Sequence, residues 1–557
     1  MLIAFAKSLK KRFIHGLLHQ RIYYDVNCRL IIFTPMKKQI CFLFLFFFII
    51  SQTVLAQPKY EFRGVWIATV DNIDFPSSKT LSTEAQKAEF ISLLDMHKRN
   101  GMNAIVMQIR PAADAFYPSE YEPWSEWLTG KQGKPPVPYY DPLEFMITET
   151  HKRGMEFHAW MNPYRATLNI GKSSISPTHI TKLHPEWFID YGGKRYFDPG
   201  NKEAQQFVEN VVKDVVSRYD VDAIHFDDYF YPYRIAGKEF GDWKSFQKYG
   251  KGMTRDEWRR SNVDSIIVML GRIIKQENPY CKFGISPFGV WRNIDKDPEG
   301  SNTKAGVTNY DDLYADILLW LKMKWIDYVV PQLYWEFGRK PVEFEILSEW
   351  WADHAYGRQM YIGHGIYRAT EPKSYAWHKK NELPNQIQRI REFPEIQGSV
   401  YFSSKTFSSN PNGWSDTLRN NYYKYPAIAP PMSWIDSIKP EPPVLSYDSS
   451  KPSFYTSSID LYFRQDEAND MINRFVIYQF DDLKNKNTND PKNIKEIIIS
   501  GNNFYQFDLL KIPASQNKIV IAATNLTSTN NESGLSRYIY LERRGNGWQV
   551  VSQRDNQ

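Results

Sequence analysis

Two adjacent carboxyl groups end an apolar, strand-like run in the sequence VDAIHFDDYFYP, which covers residues 221–232. Burying an ionised aspartate is costly unless the protein supplies a partner or uses the charge. In a barrel strand, alternate side chains face the helices or the barrel axis, so the apolar Ile224 and Phe226 take the helix side. Asp227 is then the last inward residue of the strand, whereas Asp228 has the opposite parity and is expected to turn into the following loop.

Polar residues of inward parity recur in other strand-like runs of the sequence. They are Gln108 and Arg110 in the run from 102, Glu156, His158, Trp160 and Asn162 in the run from 155, His225 in the run from 221, and Gln332, Tyr334 and Glu336 in the run from 326. A barrel stabilised only by packing would carry branched aliphatic residues there, so this set indicates a site at the C-terminal mouth of a barrel. Taken singly, each residue also has a structural explanation: His158 and His225 as hydrogen-bonded core histidines, Arg110 as an ion-pair partner of Asp227.

Further substrate contacts are predicted from residue type and position. Aromatic residues make up 15% of the sequence, and such rings pack on the apolar faces of pyranoses as well as in protein cores. The predicted substrate-binding residues are Trp66, Gln108, Arg110, His158, Trp160, Asn162, Tyr164, Arg165, His225, Asp228, Tyr229, Gln332, Tyr334 and Trp335.

Two inward carboxylates on different strands, Asp227 and Glu336, suit glycoside hydrolysis, which uses a pair of such groups beside the scissile bond. Asp227 is predicted to remain ionised, with Arg110 and His158 beside it, and to attack or stabilise an oxocarbenium-like centre. Glu336 is predicted to be the general acid, because burial among aromatic rings raises the pKa of a carboxyl group.

Alternatives remain open on the residues alone. The general acid could instead be Asp228 or the loop residue Asp114. A metal-dependent carbohydrate deacetylase that uses Asp227, His158 and His225 is the alternative enzyme. The sequence contains no HExxH pattern and no cysteine cluster, so neither a metal nor another cofactor is predicted.

The elements that must position these residues form a repeating pattern. Eight strand-like runs, beginning at residues 62, 102, 155, 221, 281, 326, 359 and 396, alternate with amphipathic helical stretches. This predicts an α/β fold, a (β/α)8 TIM barrel over residues 57–430. A doubly wound open sheet is the alternative, but it does not explain eight units, and no Gly-rich phosphate loop follows the first run.

The N-terminal 56 residues are predicted to be an extension followed by a signal peptide that starts at Met36. The sequence MKKQICFLFLFFFIISQTVLAQ has the basic start, apolar centre and small-residue end of such a signal. A membrane anchor is the alternative, although the apolar run is short for a span. Residues 1–56 contain eight Lys or Arg residues and one acidic residue, a net charge of +7. The whole sequence has a formal net charge of +6, so the chain after residue 56 has a net charge of about −1. The charge therefore gives no indication of nucleic-acid binding, and one cysteine, Cys281, remains after residue 56.

A proline-rich linker at residues 431–443 and a small β-sandwich at residues 444–545, of fibronectin type III appearance, are predicted to follow the barrel. A sugar-binding accessory module and a plain spacer are equally compatible with this region. The linker suggests that the barrel folds without the sandwich.

Four segments resemble the glycosyl hydrolase-like 10 family, also called domain of unknown function 187: EFRGVWIATVDNIDFPS, IRPAADAFYPSEYEPWSEWLTGKQG, DPLEFMITETHKRGMEFHAWMNPYR and IHFDDYFYP. The resemblance covers about residues 60–420 and implies a (β/α)8 glycosidase, exported in many bacteria, with cell-wall glycan strands as substrate. A distant similarity to barrel glycosidases whose Asp nucleophile closes the fourth strand implies that role for Asp227.

The sequence therefore predicts an exported, periplasmic or cell-surface glycoside hydrolase that cleaves a polysaccharide of peptidoglycan type. A non-catalytic glycan-binding protein of the cell envelope is the alternative from another class. No nucleic-acid partner and no membrane span after signal cleavage are predicted.

Overall fold

The computed structural model describes residues 57–448, 454–465, 472–501 and 503–554. The predicted N-terminal extension and signal peptide lie outside the described residues. Within the described ranges, no helix is both long enough and apolar enough to cross a membrane.

Eight parallel strands form a closed barrel, as the sequence pattern predicts. The strands up to residue 401 are β1 (Phe62–Ile67), β2 (Ala104–Arg110), β3 (Glu156–Met161), β4 (Arg165–Thr167), β5 (Phe188–Tyr191), β6 (Lys194–Phe197), β7 (Ala223–Phe226), β8 (Lys282–Ile285), β9 (Tyr328–Val329), β10 (Gln359–His364) and β11 (Ile396–Tyr401). The barrel order is β1-β11-β10-β9-β8-β7-β3-β2, and β4, β6 and β5 form a small antiparallel sheet after β3. The first strand closes the barrel by pairing with β2 on one side and β11 on the other: Gly64 of β1 is in register with both Ala104 and Val400.

Helices cover the outside of the barrel. The α-helices of the described residues are Thr83–Arg99, Glu126–Thr129, Pro142–His151, Ile180–Leu183, Lys202–Arg218, Trp243–Tyr249, Arg255–Glu277, Asn309–Asp312, Ile317–Lys322, Phe344–Asp353, Glu382–Ile390, Ser404–Ser409 and Trp414–Thr417. Several helices begin after an N-cap residue whose side chain accepts a hydrogen bond from a backbone N–H of the first turn. Ser82, Asn201 and Thr254 are such residues, and Thr254 also forms a capping box with Glu257.

The alternation of strand residues separates two apolar layers. Between strands and helices, the outer layer includes Ile105, Met107, Phe157, Ile224, Phe226, Val329 and Leu333. Inside the barrel, a second cluster includes Phe62, Trp66, Ala104, Val106, Trp160, Ala223, Tyr328 and Tyr361. The predicted outward parity of apolar residues in β2, β3 and β7, and of Val329 and Leu333 in the run of β9, is therefore confirmed, and it directs polar side chains into the barrel; the prediction for Glu336, at the end of that run, is wrong.

The C-terminal region is all-β. Its strands are β12 (Val444–Tyr447), β13 (Phe454–Tyr455), β14 (Ser458–Arg464), β15 (Ile472–Phe480), β16 (Ile494–Ile499), β17 (Phe504–Asp508), β18 (Lys518–Thr527), β19 (Tyr538–Arg544) and β20 (Gly547–Arg554). They form a three-stranded sheet in the order β12-β14-β17 and a six-stranded sheet in the order β13-β20-β19-β18-β15-β16. The likeness to fibronectin type III stays a prediction.

The chain between the two regions packs against the N-terminal end of the barrel. Met432 and Ala429 belong to the cluster inside the barrel, and Ile428 belongs to a cluster with strands of the six-stranded sheet. The amide Nε2 of Gln359, the first residue of β10, donates to the carbonyls of Pro430 and Pro431 at 3.1 and 2.9 Å. The proline-rich segment is therefore a packed connection as well as a boundary.

A buried ion pair lies where the C-terminal region meets the barrel. Glu156, the first residue of β3, accepts a hydrogen bond from the Lys282 ammonium at 2.6 Å and one from the Asn530 amide at 2.8 Å. Its second oxygen is 2.9 Å from His158 Nε2. Burial alone would raise the pKa of Glu156, but the charge of Lys282 and the contact with His158 hold it well below its usual value. Glu156 is therefore a carboxylate neutralised inside the protein, and a turn of the C-terminal region contributes to it.

We expect removal of the cation to destabilise the fold strongly. Lys282→Met should lower the free energy of unfolding by about 3–5 kcal/mol, because it leaves the Glu156 charge buried without its counter-charge. The double variant Lys282→Met/Glu156→Gln should recover much of that loss. Lys152→Met, which removes an exposed pair with Glu149, should cost at most about 1 kcal/mol. Urea unfolding of the four proteins measures this, and a double variant no more stable than Lys282→Met would contradict it.

The packing also predicts that the barrel is less stable alone, contrary to the independence suggested by the proline-rich sequence. A chain of residues 57–443 lacks Asn530 and uncovers the side chain of Ile428, so it should melt at a lower temperature than residues 57–557. Calorimetry on both chains tests this; equal melting temperatures of the barrel transition would show that the two regions are independent.

Candidate active site

A pocket of about 250 Å³ opens at the C-terminal ends of the barrel strands. The residues that line it are Trp66, Ala68, Val70, Ile73, Gln108, Trp160, Arg165, Asp227, Asp228, Tyr229, Tyr233, Ser286, Gln332, Tyr334, Tyr367 and Phe402. They lie in, or follow, all eight strands of the barrel, as the residues of a barrel active site do. Larger grooves occur elsewhere on the surface, but the mouth of the barrel is where the inward polar residues converge.

Asp227 lies in this pocket within a set of N–H donors. Its carboxylate accepts from Asn162 Nδ2 at 3.0 and 2.9 Å and from Trp160 Nε1 at 3.2 Å. The backbone N–H of Tyr229 approaches it at 3.4 Å. Burial raises the pKa of Asp227 above its usual value, and the nearby Arg165 guanidinium and these hydrogen bonds offset this only in part. The direction is opposite to the predicted one, and the Arg165 charge and the N–H donors are the groups that stabilise the negative form of Asp227.

Asp228 lies beside Asp227 but has a different environment. The Tyr233 hydroxyl donates to its carboxyl group, and the side chain of Asp228 is buried. Burial, followed by the negative charge of Asp227, raises the pKa of Asp228 to about 7. When two neighbouring carboxyl groups have different environments, their pKa values differ, so one is able to act as an acid while the other stays ionised.

Gln108 presents an unused donor at the pocket. Its amide oxygen accepts from the backbone N–H groups of Thr69 and Val70 at 3.0 and 2.9 Å, which fixes the orientation of the amide. Its Nε2 is buried and has no hydrogen-bond partner among the described residues. Because a buried donor without a partner is costly, this N–H group is suited to a bound substrate.

Aromatic rings form much of the pocket wall. Phe402 packs between Trp66 and Tyr334, with ring centroids 6.1 and 5.9 Å apart. Tyr367 meets both Tyr334 and Phe402 at 5.9 Å. These rings make one side of the pocket apolar, and the amides and carboxyl groups make the other side polar, an arrangement that suits a sugar ring.

A chain of hydrogen bonds lies beneath the pocket. His158 Nδ1 and His225 Nδ1 both contact the Tyr328 hydroxyl, at 2.8 and 3.0 Å. His225 Nε2 is 3.0 Å from Ser286 Oγ and accepts from Trp66 Nε1 at 3.3 Å. Burial, followed by the charge of His158, holds the pKa of His225 well below its usual value, so His225 is neutral. Both histidines therefore belong to the support of the pocket.

Nine of the predicted site residues line the pocket: Asp227, Asp228, Trp66, Gln108, Trp160, Arg165, Tyr229, Gln332 and Tyr334. Asn162 contacts the site indirectly, through Asp227. Asp228 enters the pocket, contrary to its strand parity, because β7 ends at Phe226 and alternation no longer applies beyond that residue.

The predicted partners of Asp227 need correction. Arg110 pairs with the buried Glu122, its Nε donating at 2.8 Å, and does not neutralise Asp227. The nearby cation is Arg165, whose guanidinium lies 5.4 Å from the centre of the Tyr229 ring. His158 is bound to Glu156 and Tyr328 inside the barrel.

Glu336, the predicted general acid, lies outside the residues that line the pocket. Its carboxylate accepts from Trp377 Nε1 at 3.2 Å and pairs with Arg339 at 3.1 Å. The regular strand β9 ends at Val329, so strand parity does not extend as far as residue 336.

Of the other predicted positions, Tyr164 is in the outer core, and Trp335 packs on Phe288.

Several pocket residues were not predicted from the sequence. Ser286 and Phe402 directly follow β8 and β11, so the parity test applied to those strands would have found them. Tyr233 and Tyr367 lie on loops, and only the folded chain brings them to the mouth. Asp114, the other alternative acid, is buried against Gln132 Nε2 at 3.2 Å and does not line the pocket.

The alternative deacetylase chemistry needs histidines turned toward a shared metal. His158 and His225 instead contact Tyr328. In the described residues, no group of three or more His, Cys, Asp or Glu side chains is arranged to hold a metal ion.

A closed (β/α)8 barrel with buried carboxyl groups and aromatic rings at its C-terminal mouth has the architecture of the barrel glycosidases. The chain belongs to the glycosyl hydrolase-like 10 family, whose model matches residues 61–379. A protein named Glycosyl hydrolase YngK, from Bacillus subtilis, is 48% identical over 406 residues, which cover 72% of this chain and 79% of the relative.

Glycosyl hydrolase DigH, from Escherichia coli K12, is 37% identical over 370 residues, which cover 62% of this chain and 83% of the relative. Among solved structures, the glycoside hydrolase domain of PgaB (BpsB) from Bordetella bronchiseptica aligns with a TM-score of 0.40 and 13% identity, over 64% of this chain and 98% of that one. The relatives of this chain are thus named as glycosyl hydrolases.

The positions of the carboxyl groups predict different effects of two substitutions. Asp227→Asn should reduce glycan cleavage by more than about 1,000-fold, because it removes the negative charge at the centre of the site. Glu336→Gln should keep cleavage within about threefold of the unchanged protein, because Glu336 lies outside the pocket. Initial rates of reducing-end release at equal protein concentration test both, and a large loss in folded Glu336→Gln would return the acid role to Glu336.

Proposed function

We propose that the protein is an exported glycoside hydrolase that cleaves cell-wall glycan strands of peptidoglycan type. The observation that carries the proposal is the pair Asp227 and Asp228, two buried carboxyl groups with unlike surroundings in one aromatic pocket. The family membership and the names of the relatives support glycan hydrolysis as the reaction class. The signal-like sequence from Met36 supports export to the periplasm or the cell surface.

In this proposal, Asp228 is the general acid. A carboxyl group with a pKa of about 7 is about half protonated in neutral solution, so it is able to donate a proton to the leaving oxygen. Asp227 provides the negative charge that stabilises the positive, oxocarbenium-like sugar in the transition state. Trp66, Tyr334 and Phe402 offer apolar surface to the sugar ring, and the free Nε2 of Gln108 offers a donor to a hydroxyl or carbonyl oxygen.

A non-catalytic glycan-binding protein of the envelope is the competing function, because it would use the same aromatic pocket. Binding alone does not require a carboxyl group that keeps its proton near neutral pH. The two functions are separated by incubating residues 57–557 with purified glycan strands freed of peptides. Release of reducing ends by the unchanged protein, lost in Asp227→Asn, supports the hydrolase; binding without release would support the alternative.

The raised pKa of Asp228 predicts the direction of the pH dependence. Because the acid form is the active one, kcat/KM on glycan strands should fall as the pH rises through about 7, by about tenfold for each further pH unit. Asp228→Asn should lose most activity on strands but retain much more on an aryl glycoside, whose leaving group needs little protonation.

Rates between pH 5 and 9 on both substrates test this assignment. Glu336→Gln serves as the matched control, since it changes a carboxyl group outside the pocket. If the alkaline fall persists unchanged in Asp228→Asn on the aryl glycoside, another group is the acid.

A further inference from the structure

The two carboxyl groups of the pocket lie on the same side. Asp227 and Asp228 are consecutive at the end of β7, and they are the only carboxyl groups among the residues that line the pocket. In the barrel order the strand opposite β7 is β11, which Phe402 follows, and Gln108 of β2 and Tyr334 after β9 lie between these two strands. A glycosidase with two carboxylates needs them on opposite sides of the anomeric carbon, one to protonate the leaving oxygen and one to attack or to activate water. Within the described residues, the second side of this pocket has no such group.

The pocket tyrosines do not replace the missing nucleophile. Burial, followed by the charge of Asp228, raises the pKa of both Tyr229 and Tyr233. Burial and the neighbouring Tyr367 raise the pKa of Tyr334 well above its usual value. The phenols therefore remain protonated and serve as hydrogen-bonding groups.

We propose that the nucleophile is supplied by the substrate: the carbonyl oxygen of a 2-acetamido group attacks the anomeric carbon, and Asp227 orients that group. This inference rests on the proposed function and narrows its substrate class to β-linked glycans with a 2-acetamido-2-deoxy sugar on the non-reducing side of the cleaved bond. Asp227 is then the partner of the amide N–H and forms no covalent bond with the sugar.

The hydrogen bonds of Asp227 differ in length, and the longest marks where a substrate donor would bind. A carboxylate has about four lone-pair sites, and each oxygen of Asp227 already has two contacts: Asn162 Nδ2 contacts both oxygens, Trp160 Nε1 contacts one at 3.2 Å, and the Tyr229 N–H approaches the other at 3.4 Å. The Tyr229 contact is the longest, so its position is the one that the N–H of a bound acetamido group would take. Trp66 and Trp160 lie in the same pocket and provide apolar surface for its methyl group. Asp227, held by Asn162 and Trp160, is thus placed to orient that group.

The steps balance without a further reactant. The acetamido oxygen forms a bond to C1 while the bond from C1 to the leaving oxygen breaks, and the proton of Asp228 moves to that oxygen. The resulting oxazolinium ion keeps its N–H hydrogen-bonded to the negative Asp227. Water, deprotonated by Asp228, then adds to C1, the C1 bond to the acetamido oxygen breaks, and the acetamido group is restored. Two displacements at C1 give a product with retained anomeric configuration.

The test uses the same glycan strands with different acyl groups. The strands are N-deacetylated chemically, and separate portions are re-acylated with acetyl, monofluoroacetyl, difluoroacetyl or trifluoroacetyl groups. Fluorine withdraws electrons from the carbonyl oxygen and makes it a weaker nucleophile, so kcat should fall stepwise, by about 100-fold or more between acetyl and trifluoroacetyl strands, if this oxygen is the intramolecular nucleophile that supplies much of the rate. Strands left with free amines should not be cleaved. NMR of the first-formed product should show retention.

A stable thiazoline analogue of N-acetylglucosamine supplies a readout independent of turnover. It should inhibit the protein competitively, with weaker binding to Asp227→Asn and unchanged binding to Glu336→Gln, the matched control outside the pocket. Calorimetry on the purified variants measures both affinities.

The outcomes separate this inference from the proposed function. Cleavage that is insensitive to fluorination, inversion at C1, or a covalent sugar adduct on Asp227 would overturn substrate participation and leave the hydrolase function intact. Failure to cleave any of the strands would overturn the proposed function and this inference with it.

Discussion

The fold depends on how carboxyl groups are accommodated inside a narrow barrel. At the N-terminal end of the barrel, Glu156 is buried with a cation, Lys282, and two further polar partners. At the C-terminal end, Asp227 and Asp228 are buried with neutral donors as their direct hydrogen-bond partners. A carboxylate paired with a cation stays ionised, whereas burial without a directly bonded cation raises the pKa of both Asp227 and Asp228. One end of the barrel thus holds a neutralised carboxylate, and the other holds the carboxyl groups that we propose to act in catalysis.

The interior between these ends is a continuous set of packed and hydrogen-bonded groups. His158, Tyr328 and His225 link the region of Glu156 to Trp66 and Ser286 at the base of the pocket. Because each of these side chains is buried and bonded on more than one side, its orientation is fixed before any substrate arrives. A site supported in this way keeps its donors and acceptors in place at little reorganisation cost.

The C-terminal region takes part in the same arrangement through Asn530. This residue lies in a tight turn with a positive φ of 66°, which asparagine tolerates better than most residues. Its amide reaches Glu156, and Glu532 nearby pairs with Lys59 at 2.6 Å. The region therefore completes the polar contacts at the closed end of the barrel, far from the mouth where sugar is proposed to bind.

The sequence by itself determined the barrel, the inward parity of its strands and the place of Asp227. These features depend on the alternation of apolar residues and on the count of strand-like runs, which are local patterns with a fixed period. The tertiary structure decided the partners. Arg110 pairs with Glu122, whereas the cation whose charge acts on Asp227 is Arg165. Glu336 lies beyond the end of its strand and outside the pocket, and Asp228 enters it, because alternation stops where the regular backbone stops. Contacts between residues distant in sequence, such as those of Asn530 with Glu156, follow from packing of the whole chain, and no local pattern carries them.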